Sequence, residues 1–259
     1  MRVALVSLDQ LWLDKEQNFQ NCSQFAQQAN EQECELLVFP EMTLTGFMPK
    51  ESKIAENAKN SETLEWFREL SEQYNIGIVY GACIILEGDD KPSNVLCYSA
   101  PGKQSVILYS KCHLFSYASE DQYVTPGTGP CIIDLYGTKI GLAICYDLRF
   151  PDFFSMMSNN CDGFLIIANW PAKRVDHWNT LLKARAIENL AFLIGVNRTG
   201  SDGNNLDYEE SSHVYMPNGE ELDALYRAEQ LHVFDIDITE AQNQRASFPT
   251  ITDRRPELY

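Results

Sequence analysis

Two short apolar runs, Val3–Leu8 and Leu36–Phe39, flank a single segment in which Phe19, Cys22, Phe25, Ala26 and Ala29 recur at helical spacing. That segment opens on Asp14 with Gln17 three residues later, the pattern of a capping box. Strand, helix and strand within residues 1–40 make a β-α-β unit. Two strands joined through a helical crossover lie parallel, and the crossover is right-handed. The first forty residues therefore commit the chain to an α/β fold.

Beyond residue 60 the chain adds antiparallel pairing. Leu64, Phe67, Leu70 and Tyr74 mark one face of a second helix leading into a strand at Ile76–Ile85. Residues 86–110 then read as turns and short strands, GDDKPS, NVLCYS, APGKQ and SVILYS, so the sheet is mixed. CIIDL and KIGLAIC face each other across the turn YGTK as a hairpin. Later strands are predicted at Phe164–Ala168, Phe192–Val196, His213–Met216 and Leu231–Asp237, with a helix from Asp176 to about Leu190. Many strands and few long helices suggest a sandwich of layers, and with no repeat or Gly/Ser linker the 259 residues are expected to form one domain. Residues 239–259 show no clear period, carry Arg245, Arg254 and Arg255, and are expected to cross a surface or a partner subunit.

The chain has 37 acidic and 20 basic residues, a formal charge of −17, which disfavours nucleic acid and anionic membrane as partners because both are bound through clustered Lys and Arg. The apolar start stops at Asp9, too short for a membrane span or a secretory core, which predicts a cytoplasmic protein. Eight cysteines show neither CxxC pairs nor Cys/His zinc spacing, so they are read as free thiols, and neither a metal nor a cofactor is expected.

Chemistry concentrates at strand ends. In GLAICYDLRFP, Leu142–Ile144 read as a buried strand and Tyr146, Asp147, Arg149 and Pro151 cannot continue it. Cys145 thus falls at the carboxyl edge, where open α/β sheets present reactive groups. Glu41 follows LLVFP and Lys111 follows SVILYS in the same manner. Alone, Glu41 would cap a helix, Lys111 would be a solvated strand end and Cys145 a core thiol. Together they offer a nucleophile, a base for its proton and a cation for the oxyanion formed on attack at an amide. A buried Lys111 needs carboxylates beside it to stay charged, and Glu41 and Glu120 are the candidates. Among the histidines, His113 is near enough in sequence to Lys111 to approach the site, but no Cys/His signature is present.

The strings FPEMTLTGF, YSKCHLF, GLAICYDLRFP and ARAIENLAFLIGVNR, in that order along nearly the whole chain, resemble the nitrilase superfamily of carbon–nitrogen hydrolases. The resemblance implies an αββα sandwich in a homodimer, with Glu41 as general base, Lys111 as oxyanion donor and Cys145 as nucleophile. Glu120 would be the additional glutamate that orients substrate or lysine, and the Tyr146 backbone N–H the second oxyanion donor. ANWPAKRVDHW, LLKARAIEN, ESSH and FPTITDRRPELY look most like the omega-amidase branch, which cleaves the terminal amide of dicarboxylic acid monoamides such as 2-oxoglutaramate and succinamate. Ser110 and Cys112 depart from the charged residues that related chains often place beside the lysine.

An anionic substrate needs a cation in this acidic chain. Lys173 and Arg174 follow Asn169-Trp170-Pro171, and Arg174 is favoured as the carboxylate clamp because a guanidinium binds bidentately. Arg149 is the alternative, although beside Asp147 it is expected to fix the turn after Cys145. Trp170 is a pocket-lining candidate, Asn169 either donates to substrate or braces its loop, and Glu188 is expected to pair with Arg185 or Arg198. Two competing readings are an amidohydrolase with another substrate, namely an N-carbamoyl amine, a deaminated glutathione or a nitrile, and a catalytically silent small-molecule binding protein, which the intact Glu41, Lys111 and Cys145 disfavour.

Overall fold

Asp14 caps the first helix, its carboxylate accepting from the Gln17 backbone N–H at 3.1 Å. The computed structural model describes residues 1–258, and Tyr259, the last residue of the tail, lies outside the described residues. The first half of the chain supplies β1 (Arg2–Val6), α1 (Lys15–Glu31), β2 (Leu36–Val38), β3 (Glu56–Asn57), α2 (Glu62–Tyr74), β4 (Gly77–Ile85), β5 (Ser93–Ser99), β6 (Val106–Ser110) and the single turn α3 (Glu120–Tyr123). The second supplies β7 (Cys131–Leu135), β8 (Thr138–Ile144), α4 (Pro151–Met157), β9 (Gly163–Ala168), α5 (Val175–Asn189), β10 (Phe192–Asn197) and β11 (Gly200–Ser201). It continues through β12 (Asp207–Tyr208), β13 (His213–Tyr215), β14 (Tyr226–Ala228), β15 (Leu231–Asp235) and α6 (Thr239–Ser247).

One sheet runs in the order β14-β15-β1-β2-β4-β5-β6, with β3 paired to β4, and a second in the order β13-β10-β9-β8-β7. Each has three parallel strands at its centre, β1, β2 and β4 in one and β8, β9 and β10 in the other, with antiparallel strands on the flanks and the two-residue β3 adding a short parallel pairing to the end of β4. The parallel centres are fed by helical crossovers and the flanks by hairpins, which is the mixed pattern that the turn-rich segments predict.

Strand alternation sets the layers. Val3, Leu5, Leu36, Val38, Val79 and Leu96 pack in one cluster with Leu142, Ile144, Leu165 and Ile167 of the second sheet. Ala4, Val6, Leu37, Ile78 and Tyr80, pointing the other way, pack with Cys22, Ala26 and Phe67 of α1 and α2. On the far face of the second sheet lie Phe154 of α4 and Trp178, Leu182 and Ala186 of α5. The order helix, sheet, sheet, helix is the αββα sandwich.

The elements expected from the sequence have boundaries that differ by one or two residues, while the short β3, α3, α4, β11, β12 and β14 are not expected from it, nor is the helix in the tail. There α6 forms where no period is visible, because it buries only Ala241 and so has no apolar stripe. Polar anchors tie this segment to the body of the chain: Arg245 donates to the carbonyls of Asn189 and Leu190, and Arg254 to those of Ser155 and Glu188. No helix among the described residues is long and apolar enough to cross a membrane.

One close approach sets where Glu41 can sit. The chain leaving β2 lies on β4 so tightly that a Cβ on Gly81 would fall 2.4 Å from the Met42 nitrogen and 2.8 Å from the Glu41 Cα. Thr43 seals the contact, its N–H donating to the Gly81 carbonyl and its hydroxyl accepting from the Gly81 N–H, both at 2.9 Å. Gly81→Ala is expected to lose about 1–3 kcal/mol through forced backbone displacement, read as a lower urea midpoint. An unchanged midpoint would show that the contact can give way.

Candidate active site

The site is assembled from strand exits of both sheets. Glu41 follows β2, Lys111 follows β6, Cys145 follows β8 and Asn169 follows β9. At Cys145 the backbone turns abruptly: its φ is +48°, left-handed, and a 3₁₀ turn over Cys145–Arg149 begins there. A non-glycine residue in that region carries strain. The first N–H groups of such a turn, including that of Tyr146, have no acceptor within it and point forward.

Glu41, Lys111 and Glu120 are fully buried and lie on one another. The Lys111 ammonium donates to Glu41 Oε1 at 3.0 Å and to the two Glu120 oxygens at 2.9 and 3.2 Å. Asn94, in β5, donates to Glu41 Oε1 at 2.7 Å and to Glu120 Oε1 at 3.0 Å. The second Glu41 oxygen accepts from the Asn169 backbone N–H at 2.8 Å, and the Asn169 amide donates to the Glu41 carbonyl at 2.5 Å. Asn169 is thus a brace for Glu41. The Gln10 amide nitrogen donates its two hydrogens among the carbonyls of Glu41, Met42 and Thr43, which lie 2.9, 3.0 and 3.2 Å away.

Burial pulls the Lys111 pKa down, but the carboxylates of Glu120 and Glu41 outweigh it and hold the ammonium above its ordinary range, so it stays protonated. The Cys145 thiol moves up as well. Desolvation and then the Glu41 charge raise it well above the ordinary thiol value, against a smaller opposing pull from Lys111. That direction favours the thiol over the thiolate.

Arg149 is placed differently from the sequence reading. Asp147 is fully buried and already takes the Ile144 N–H, the Tyr109 hydroxyl, and the N–H and ring Nδ1 of His113. With Asp147 satisfied, Arg149 turns away, its guanidinium 4.7 Å from the centre of the Trp170 ring and 3.3 Å from His177 Nδ1. Burial, and then the neighbouring Arg174 guanidinium, lower the Arg149 pKa. Arg174 lies over Phe115 at 5.7 Å, and its carbonyl accepts from the Trp170 indole N–H at 2.8 Å. Both guanidiniums open onto a cavity of about 360 Å³ lined also by Cys145, Lys111, Asn169 and Trp170. Neither forms a salt bridge among the described residues. Lys173, beside Arg174, is exposed and outside this lining. Glu188 pairs with Arg185 at 3.1 Å.

Sequence reasoning misses Asn94, Gln10 and Asp147 as organisers, together with the far wall of the cavity. Phe47 and Met48 come from the loop after Glu41, and Asp202, Leu206 and Tyr208 from the β11–β12 hairpin. Neutral amides and a short polar hairpin carry no periodic or charge signal that would single them out.

Two stacked sheets with a thiol, a carboxylate and an ammonium at their strand exits, and a second carboxylate brought in from α3, define a class of hydrolase built as an αββα sandwich. The chain belongs to the carbon–nitrogen hydrolase family, whose model matches residues 2–246. It is 32% identical to omega-amidase YafV of Escherichia coli strain K12 over 98% of this chain and 96% of that one. It is also 32% identical to a 2-oxoglutaramate amidase of Bacillus subtilis, over 87% and 86%. A CN-hydrolase superfamily protein of Xanthomonas campestris, solved with an arsenic adduct in its active site, superposes with a TM-score of 0.90 at 30% identity, covering 98% of this chain and 97% of that one.

The charge arrangement makes a signed prediction. Because the Glu41 carboxylate disfavours the Cys145 thiolate, Glu41→Gln is expected to shift the pH midpoint of Cys145 alkylation by iodoacetamide downward, located by peptide mass spectrometry. An upward shift would show that Glu41 does not act on the thiol through its charge.

Proposed function

We propose that this enzyme is an omega-amidase, releasing ammonia from the terminal amide of dicarboxylic acid monoamides such as succinamate and 2-oxoglutaramate. The observation that carries this reading is the pair Arg149 and Arg174, two guanidiniums without carboxylate partners among the described residues, in the same cavity as Cys145, in a chain of net charge −17. A substrate carboxylate supplies what they lack. The two amidases named above add independent support.

In this mechanism Glu41 takes the Cys145 proton as sulfur attacks the amide carbonyl. The oxyanion forms between the Lys111 ammonium and the Tyr146 N–H, and Glu120 keeps Lys111 charged and oriented. The C–N bond breaks as Glu41 returns the proton to nitrogen and ammonia leaves. Water, deprotonated by Glu41, then attacks the thioester, releasing the acid and restoring the thiol. Holding the carboxylate at the two arginines places the distal amide at Cys145, so Arg149, Arg174 and the Trp170 ring beneath Arg149 select substrates by length and charge. The same reading places the protein in the cytoplasm as a homodimer. The exposed Met156 of α4, Ile187 of α5 and Phe248 after α6 supply apolar surface for a second copy.

Ammonia release from succinamate, 2-oxoglutaramate, asparagine, glutamine, an N-carbamoyl amine and a simple nitrile tests the assignment. Turnover is expected for the first two and none with Cys145→Ala. Arg174→Ala should raise KM for succinamate roughly 10- to 100-fold, the worth of a charged hydrogen bond. Turnover confined to the other compounds, or a KM indifferent to both arginines, would remove the dicarboxylate reading.

A further inference from the structure

Cys145 and Lys111 belong to different sheets, the first leaving β8 and the second leaving β6, and the strand ladders do not connect them. An oxyanion donor must nevertheless stand within a few tenths of an ångström of where the oxyanion forms relative to the sulfur. The residue that bridges the two exits is Asp147. On the Cys145 side its Oδ2 accepts from the Ile144 N–H at 2.9 Å, closing the backbone around the left-handed cysteine. On the Lys111 side the same oxygen accepts from the Tyr109 hydroxyl at 2.7 Å, and Tyr109 accepts in turn from the Cys112 N–H at 3.1 Å. Its Oδ1 accepts from the His113 N–H at 2.9 Å and lies 2.8 Å from His113 Nδ1. One carboxylate therefore grips residues 109 and 113 directly and 112 through Tyr109, on both sides of Lys111, while its own backbone forms the nucleophile turn.

His113 is built to serve that carboxylate. Facing an acceptor, its Nδ1 carries the hydrogen. The ring is stacked on Phe150 with centroids 3.9 Å apart and meets Phe153 edge-on at 5.4 Å, which fixes its orientation. It does not line the cavity, so it does not reach a bound substrate.

We propose that Asp147 and His113 are a positioning pair that sets the separation between the Cys145 thiol and the Lys111 ammonium, and so tunes oxyanion stabilisation without touching the substrate. This rests on the proposed roles of Cys145 and Lys111, but on no particular amide. The two groups act together when an acyl group is transferred to sulfur through a tetrahedral oxyanion. They do not when the sulfur attacks a centre that forms none.

Two reagents separate these cases. p-Nitrophenyl acetate acylates the thiol through an oxyanion and releases p-nitrophenolate, whereas methyl methanethiosulfonate transfers its methylthio group to the Cys145 sulfur as a mixed disulfide and releases methanesulfinate, with no tetrahedral oxyanion. His113→Leu keeps the packing against Phe150 but loses the Nδ1–H donor, and His113→Asn puts an amide N–H near the lost position. In His113→Leu, acylation of Cys145 is expected to slow roughly tenfold, short of the ~10²-fold that a 1 Å misplacement can cost, while thiolation stays within about twofold. His113→Asn should recover most of the acylation rate. Equal losses with both reagents, no loss with either, or no recovery by Asn would each overturn the proposal. Acylation that survives in Cys145→Ala would instead remove the reading of the site itself, and the proposal with it. Acylation that needs Cys145 but ignores His113 removes the positioning pair alone.

Discussion

An ammonium with no access to water holds the site together. Lys111 is fully buried, and a lone buried charge of that kind would neutralise itself. It remains charged because two carboxylates from separate elements close on it, one after β2 and one at the head of α3, with the Asn94 amide between them. Buried ion clusters add little to stability compared with apolar packing of the same volume. This cluster also acts on its neighbour: on top of burial, the Glu41 and Glu120 carboxylates push the Cys145 pKa up, against the pull of the Lys111 ammonium.

Much of the fold can be understood as the means of bringing those elements to one place. Parallel strands at the centre of each sheet carry their carboxyl ends to a common edge, so the exits of β2, β8 and β9 converge. The antiparallel flank then delivers Lys111 from the end of β6. Two sets of hydrogen bonds bridge the sheets at this edge, Asn169 to Glu41 on one side and Asp147 to Tyr109 and His113 on the other. Glu41 and Lys111 are thereby each referenced to the sheet that bears Cys145, and Trp170, next to Asn169, carries that reference outward to both arginines.

The sandwich is readable in the sequence because strands of period two and helices with an apolar stripe announce themselves, as in β1 with α1 and in α2. Cys145, Glu41 and Lys111 are findable because each ends an apolar run with a group that does not belong in a core. What escapes is decided by hydrogen bonds between segments remote in sequence. Asn94 reads as an ordinary residue of a hairpin strand, and only the fold reveals that it faces two carboxylates. Arg149 beside Asp147 suggests a local ion pair, yet Asp147 fills its acceptor capacity from Tyr109, Ile144 and His113, which frees the guanidinium for the cavity. α6 is invisible because carbonyl-anchoring arginines, and not buried side chains, hold its segment in place.

The left-handed backbone at Cys145 sets function against comfort at a single position. Every folded molecule carries that conformational cost, on the order of 1–2 kcal/mol for an L-residue, whether or not anything is bound. Glycine would relieve it and abolish the sulfur. Drift toward greater stability therefore leads away from the thiol here, and a chain that lost its chemistry could gain robustness at the very residue where the chemistry had been.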